Sequence, residues 1–396
     1  MNLYRNKNFT ILYSITILST FGSTIYTFIL PLLIYDLSQS ALAMSTMRIV
    51  DFLPNVLLGM LAGAIVDRVN RNMMITYGGF LKVLLSAFLT FVIYLNAVEP
   101  WHLYLLGFLI STVSYTVGNA THAIIPQLFY KKWMTDIQAK FSFVNTFVSI
   151  IGPSLAGALL LIIAYDHLMI VYTVSLLTIW IISLFIDQTT TPERLKKQSL
   201  LEDMKEGIQE LFGNKLLLTP TLSILLVNLA TSLIIGVLMF YVVDILGETK
   251  EQLGLMYSIA ALGGLVGARL IKPLRKRWTR GSIYIGLHAI DAFVLVFFFF
   301  ATTWWQLGIL LAFRSCTTVI TNIIYLAIRQ ESTPNHLLGR VAGTSSMFMK
   351  LALPIGLFFG GIWAETFPIP YIFIISASIV LSICILLRKN NFQKLV

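Results

Sequence analysis

Charge is scarce in this chain. Asp, Glu, Lys and Arg together make up 12% of 396 residues, about half the roughly 25% usual in soluble proteins. That shortage excludes a soluble globule, a disordered chain and a nucleic-acid-binding domain. Cysteine is nearly absent: Cys316 and Cys384 both fall in apolar runs, so there is neither a disulfide framework nor a metal-ligand spacing. Five histidines are scattered, with no HExxH pair and no GxxxxGK[ST] loop, which removes zinc-protease chemistry and ATP as an energy source. No nucleophile–base arrangement appears. The chain is therefore read as a non-enzyme that needs no cofactor or metal.

What is abundant is apolar. Hydrophobic residues are 57% of the chain, and mean hydropathy is +0.83. A membrane span needs about 20 mostly apolar residues, and twelve such runs follow one another. They lie near residues 9–34, 43–66, 73–95, 101–125, 141–164, 168–186, 216–246, 253–271, 282–301, 304–328, 341–364 and 371–387. This predicts an all-α polytopic membrane protein with a six-helix half over residues 1–186, a hydrophilic linker over 187–215 and a second half over 216–396. Membrane proteins keep Lys and Arg on the cytoplasmic side. With both termini placed inside, 22 of the 28 basic residues fall in inside segments, five in spans and only Lys250 outside. The net charge of +10 is thus a topology signal. The expected location is the plasma (inner) membrane, with lipids as neighbours and no nucleic acid as partner.

The linker carries Ser199-Leu-Leu-Glu202, a capping-box pattern. Leu200, Leu201, Met204, Ile208, Leu211 and Phe212 then recur at helical spacing, which predicts an amphipathic helix at the cytoplasmic membrane face. Glycines mark a finer repeat. Gly59/Gly63, Gly263/Gly267 and Gly356/Gly360 each form GxxxG in spans two, eight and eleven, and span five carries Gly152-Pro153 and Gly157. These are the middle helices of four three-helix groups, and small residues at that spacing let helices approach closely in lipid. Repeated triplets are a secondary-transporter architecture.

Three stretches resemble the major facilitator superfamily. Gly63-Ala-Ile-Val-Asp67-Arg68-Val-Asn70-Arg71-Asn72 is similar to its loop motif G-x-L-A-D-R-x-G-R-K, with Asn70 in place of the second glycine, a residue that tolerates the left-handed backbone. Gly152-Pro153-Ser-Leu-Ala-Gly157 resembles the exporters' G-P-x-x-G-G signature. Arg329-Gln-Glu-Ser-Thr-Pro334, Gly339-Arg340-Val341 and Pro354-Ile-Gly356, together with Asn119 to Pro126, resemble the branch of enterobactin exporters and macrolide efflux pumps. The resemblance implies the major facilitator fold and alternating access by a monomer. Spans one, four, seven and ten would line the cavity, and three, six, nine and twelve would be peripheral. Asp67, Arg68 and Arg71 at the end of span two suit a gate whose charge pairs break when the protein rocks. Gly152, Pro153 and Gly157 suit a functional bend.

An ionisable residue within a span is costly and points to function. Arg48 and Asp51, three apart in span two, are expected to pair. Burial and an adjacent guanidinium pull a carboxylate's proton affinity in opposite directions, which makes Asp51 the first candidate proton carrier, with Arg48 its modulator and Asp244 the second choice. His288 and Asp291, three apart in span nine, read as a structural pair. Arg314 and Lys350 fall near mid-membrane, so an anionic substrate is expected to compensate them in part, the alternative being acidic partners such as Asp51 or Asp244. Tyr26, Tyr115, Tyr241 and Tyr257, with Met347 and Met349, are candidates for an adaptable lining. The leading expectation is a proton-driven exporter of a small anionic metabolite such as a carboxylate siderophore. Broad drug or macrolide efflux is the alternative, and a lipid flippase or a non-transporting receptor is more remote.

Overall fold

The computed structural model describes residues 3–59, 69–187, 200–334, 337–389 and 392. Among them there are thirteen α-helices and no strand. The helices are α1 (Lys7–Ser38), α2 (Ala41–Leu57), α3 (Arg71–Tyr94), α4 (Pro100–Leu128), α5 (Met134–Ile162), α6 (Tyr165–Ser183), α7 (Leu200–Gly213) and α8 (Lys215–Phe240). They continue with α9 (Lys250–Arg277), α10 (Arg280–Phe298), α11 (Trp304–Ser332), α12 (Leu338–Thr366) and α13 (Pro370–Lys389). Eleven of the described helices are long and apolar enough to cross a membrane. The described part of α2 is 17 residues and occupies the place of the remaining span.

Local chemistry sets the boundaries. Asn6, Asn70 and Asn214 place their side-chain oxygens on the first free N–H groups of α1, α3 and α8, which have no partner inside the helix. Thr249 opens α9 with a reciprocal box: its Oγ1 accepts from Gln252 N, and its own N–H donates to Gln252 Oε1. Asn70 departs from expectation. Its φ is −63°, extended rather than left-handed, because the side chain is used as a helix cap and the backbone needs no tight turn there. The far end of α8 widens into a π-turn over Tyr241–Ile245, and Gly247 at φ +68° closes it.

The chain divides into two compact units, residues 1–39 with 50–197 and residues 40–49 with 198–396. The boundary between them therefore falls inside α2, whose first turns belong with the second unit. Ser45 Oγ donates to Gly236 O at 2.7 Å, and Glu365 Oε1 accepts from Ser40 Oγ at 2.6 Å and from Leu42 N at 3.0 Å.

In each unit the middle helix of one triplet crosses the first helix of the other. A Cβ on Gly263 would lie 1.9 Å from Ala312 O, and one on Gly267 2.5 Å from Cys316 O, where α9 crosses α11. Gly356 and Gly360 bring α12 onto Leu229 O and Leu233 O of α8 in the same way, and Gly152 brings α5 onto Thr24 of α1. Gly59, two residues past the end of α2, faces Tyr115 of α4 at ordinary contact distance. These close crossings hold each unit together where lipid supplies no hydrophobic drive between helices.

The linker helix α7 packs on α12 through its later turns: Leu211 is buried with Leu217 and Val341, Phe212 meets Phe348 edge-on at 5.4 Å, and Glu206 pairs with Arg340. Gly207 sits where a Cβ would be 2.8 Å from Arg340 O, so that side of α7 is fitted to α12. The Ser199–Glu202 capping pattern lies outside the described side chains. At the other end of the first unit, Lys7 and Asn8 hold Asp187, and these bonds keep its carboxyl below the usual range.

Gly263→Ala should destabilise the detergent-solubilised protein by about 1–3 kcal/mol, the cost of forcing extra volume into a packed crossing. Gly264→Ala, with Val319 Cγ2 at 3.5 Å, should be near neutral. Equal melting temperatures for the two variants would show that the α9–α11 crossing does not depend on the missing Cβ.

Candidate functional site

The intramembrane charges fall into two groups, one in each unit. In the second unit, Arg314 of α11 is 5% exposed and Asp291 of α10 is 4% exposed. Arg314 Nε donates to Asp291 Oδ1 at 2.9 Å and Nη2 to Oδ2 at 3.4 Å, so one edge of the guanidinium grips both carboxylate oxygens. Nη2 also reaches Thr231 Oγ1 of α8 at 2.9 Å. This corrects one expectation: Arg314 has its counter-charge within the protein and does not require an anionic substrate to compensate it. Asp291 bonds directly to Arg314, and His288, which lies in the field of Asp291, meets the carbonyl of Tyr284 on its own helix through Nδ1 at 2.7 Å. The pairing follows from depth: α10 and α11 are consecutive and antiparallel, with Asp291 about two turns before the end of one and Arg314 about three turns after the start of the other.

Arg48 of α2 has a different environment. Its Nη2 points to Met239 Sδ of α8 at 2.9 Å, and its Nε is buried with no hydrogen-bond partner among the described residues. Tyr257 of α9, half-buried, lies within the electrostatic reach of this guanidinium. Lys350 and Met347 of α12 are half-buried. Tyr241 is buried, its hydroxyl donating to Ala301 O and its ring edge-on to Phe373, so it packs rather than lines a cavity. Asp244, the second-choice proton site, is exposed in the π-turn at the far end of α8.

In the first unit, Asp51 Oδ1 accepts from Ser111 Oγ of α4 at 3.2 Å. Asp51 thus has Ser111 as one partner and Arg48 has Met239, although the two share a helix. Tyr26 of α1 is buried and stacks on Tyr172 of α6 with ring centroids 4.9 Å apart. Both phenols lie in the field of Asp51. Tyr115 is half-buried beside Gly59. The crossing at Gly152 has Pro153 next to it inside α5, with Gly157 buried one and a half turns on. Of the loop motif, Gly63, Asp67 and Arg68 lie outside the described residues. Arg71 is described, and its Nη1 donates to the Ala123 carbonyl of α4 at 3.0 Å. Ser111, Tyr172, Thr231 and Met239 were not singled out from the sequence. Small hydroxyls and thioethers are common in membrane helices and carry no spacing signal.

Among the described residues no cluster of His, Cys, Asp or Glu suits a metal ion. The two groups offer fixed charge and hydrogen-bonding capacity.

Comparison with known proteins places these features in a family. The family model described as Major Facilitator Superfamily matches residues 12–356. An uncharacterized MFS-type transporter, YfiS, of Bacillus subtilis (strain 168) is 24% identical over 96% of this chain and 93% of its own. Macrolide efflux protein A of Streptococcus pyogenes is 24% identical over 90% of this chain and 89% of its own. Among solved structures, a bacterial homologue of the iron transporter ferroportin in an inward-facing state aligns with a TM-score of 0.77 at 18% identity, covering 98% of this chain and 99% of that one. A mutant of the nucleoside transporter NupG aligns with a TM-score of 0.76 at 13% identity, again over 98% and 99%.

Breaking the buried pair from one side should cost about 3–5 kcal/mol, because it strands a charge. Asp291→Asn and Arg314→Met should each lower the melting temperature strongly, and the double variant should lose less than the sum. Strict additivity in that cycle would show that the two residues do not act as a pair.

Proposed function

The chain belongs to the Major Facilitator Superfamily, and from that membership we propose that it is a secondary active exporter of small organic molecules. It works by alternating access, as a monomer in the plasma (inner) membrane with both termini cytoplasmic, and couples export to inward proton movement. The orientation is supported by the asymmetry of Lys and Arg, and efflux by the likeness to a macrolide efflux protein. The single observation that carries coupling is Asp51: a carboxylate on a membrane helix, hydrogen-bonded to Ser111 and set beside two stacked tyrosines. A carboxylate there changes charge by one proton, and its partners within the first unit change with it.

The substrate reading that goes with this is an anionic organic metabolite, of which a carboxylate siderophore is an example. A second reading, broad drug efflux, is favoured by the macrolide relative and by the aromatic surroundings of Asp51, which suit a lipophilic cation. The sign of the preferred substrate separates the two.

Asp51→Asn should abolish substrate movement driven by a pH gradient in everted membrane vesicles, by at least tenfold, while equilibrium binding of substrate changes little. Normal gradient-driven transport by Asp51→Asn would take the proton-carrier role away from this residue.

A further inference from the structure

Two of the intramembrane arginines of the second unit are in opposite conditions. Arg314 presents its Nε–Nη2 edge to both oxygens of Asp291, the side-on fork by which guanidinium groups bind carboxylates. Arg48 has the same edge without a described oxygen on it: Nη2 faces the thioether of Met239, a weak acceptor, and Nε, fully buried, meets no acceptor among the described residues. A guanidinium cannot shed its charge. A buried donor on a charged group left unmade is costly, and in a membrane helix the cost of the charge is added to it. The segment that carries Arg48 is not loose. Ser45, one turn earlier, is buried and bonded to Gly236 O, and the start of α2 is capped by Glu365. The edge is thus held in place without its acceptor.

We propose that the Nε–Nη2 edge of Arg48 is the carboxylate-binding site of this transporter, with Met239 as a flexible stopper. A substrate carboxylate takes the place of the Met239 sulfur, accepts from Nε and Nη2 side-on, and supplies the counter-charge that Asp291 supplies to Arg314. Methionine suits the stopper role, since an unbranched side chain moves aside without disturbing the helix. The site takes organic monoanions whose carboxylate is planar and exposed. It rests on the exporter reading above, whose anionic substrate it assigns to Arg48 instead of Arg314.

The test uses the full-length protein in lipid nanodiscs, with salicylate as probe and salicylamide, its neutral amide, as control. The unmodified protein should bind salicylate and discriminate against salicylamide by tenfold or more. Arg48→Lys keeps the charge but loses the fork, and should weaken salicylate at least tenfold. Arg48→Gln should abolish salicylate binding. Met239→Ala should tighten it, a gain that misfolding cannot produce. Absence of salicylate binding to the unmodified protein, equal binding of acid and amide, or full binding by Arg48→Gln would each overturn the proposal. The exporter reading is scored separately, by efflux of the cationic dye ethidium from vesicles under a pH gradient. Dye export without carboxylate binding would remove the site and leave the exporter. Salicylate binding with no gradient-driven movement of either compound would do the reverse.

Discussion

Hydrocarbon offers a polar group nothing to bond to, so every donor and every charge placed there must be met by the protein itself or by something the protein carries. The rest of the molecule follows from that demand. Backbone groups are met by helices, and helices, lacking a hydrophobic drive toward one another in lipid, are held by close carbonyl-to-glycine crossings such as Gly263 on Ala312. Side-chain hydroxyls turn back on their own helices, as Thr20 and Thr24 do on α1 and Thr321 on α11. The charges that remain are few, and three have a specific environment: Arg314 with Asp291, Asp51 with Ser111, Arg48 with a sulfur.

That economy explains how much was legible in the amino-acid sequence. Spans were readable because uninterrupted apolar runs are long and have few competing explanations. The triplet repeat was readable because Gly356 and Gly360 recur at the place that Gly263 and Gly267 hold in their own triplet, and the structure uses each pair at a crossing. The partners of the charges were less legible. Spacing places Arg48 and Asp51 on one helix face, but it does not show that the helix changes neighbours between them, so that one side chain turns to α8 and the other to α4. Arg314 and Asp291 are 23 positions apart. Their meeting was legible only by counting depth from the loop between α10 and α11, and i, i+3 proximity to His288 offered a nearer partner.

Two local features show how one sequence pattern serves several ends. Asn70 stands at a glycine position of a known motif, and asparagine tolerates a left-handed backbone. It also caps helices well, and the helix that begins at Arg71 claims it. The linker's apolar stripe fits a membrane surface and a protein groove equally well. Gly207 belongs to the groove side, where a Cβ would crowd the Arg340 carbonyl.

The division of α2 bears on how the chain can be taken apart. Residues 40–49 are counted with the second unit although they precede most of the first. Cut in the 187–199 stretch and made as two separate polypeptides, the chain would not yield two self-sufficient pieces. The leading fragment would carry Ser45 and the capped start of α2 away from Gly236 and Glu365, and the trailing fragment would be left with the cradle but not its occupant. Each piece would stand as the other's missing part, and recovery of either in folded form would depend on co-expression.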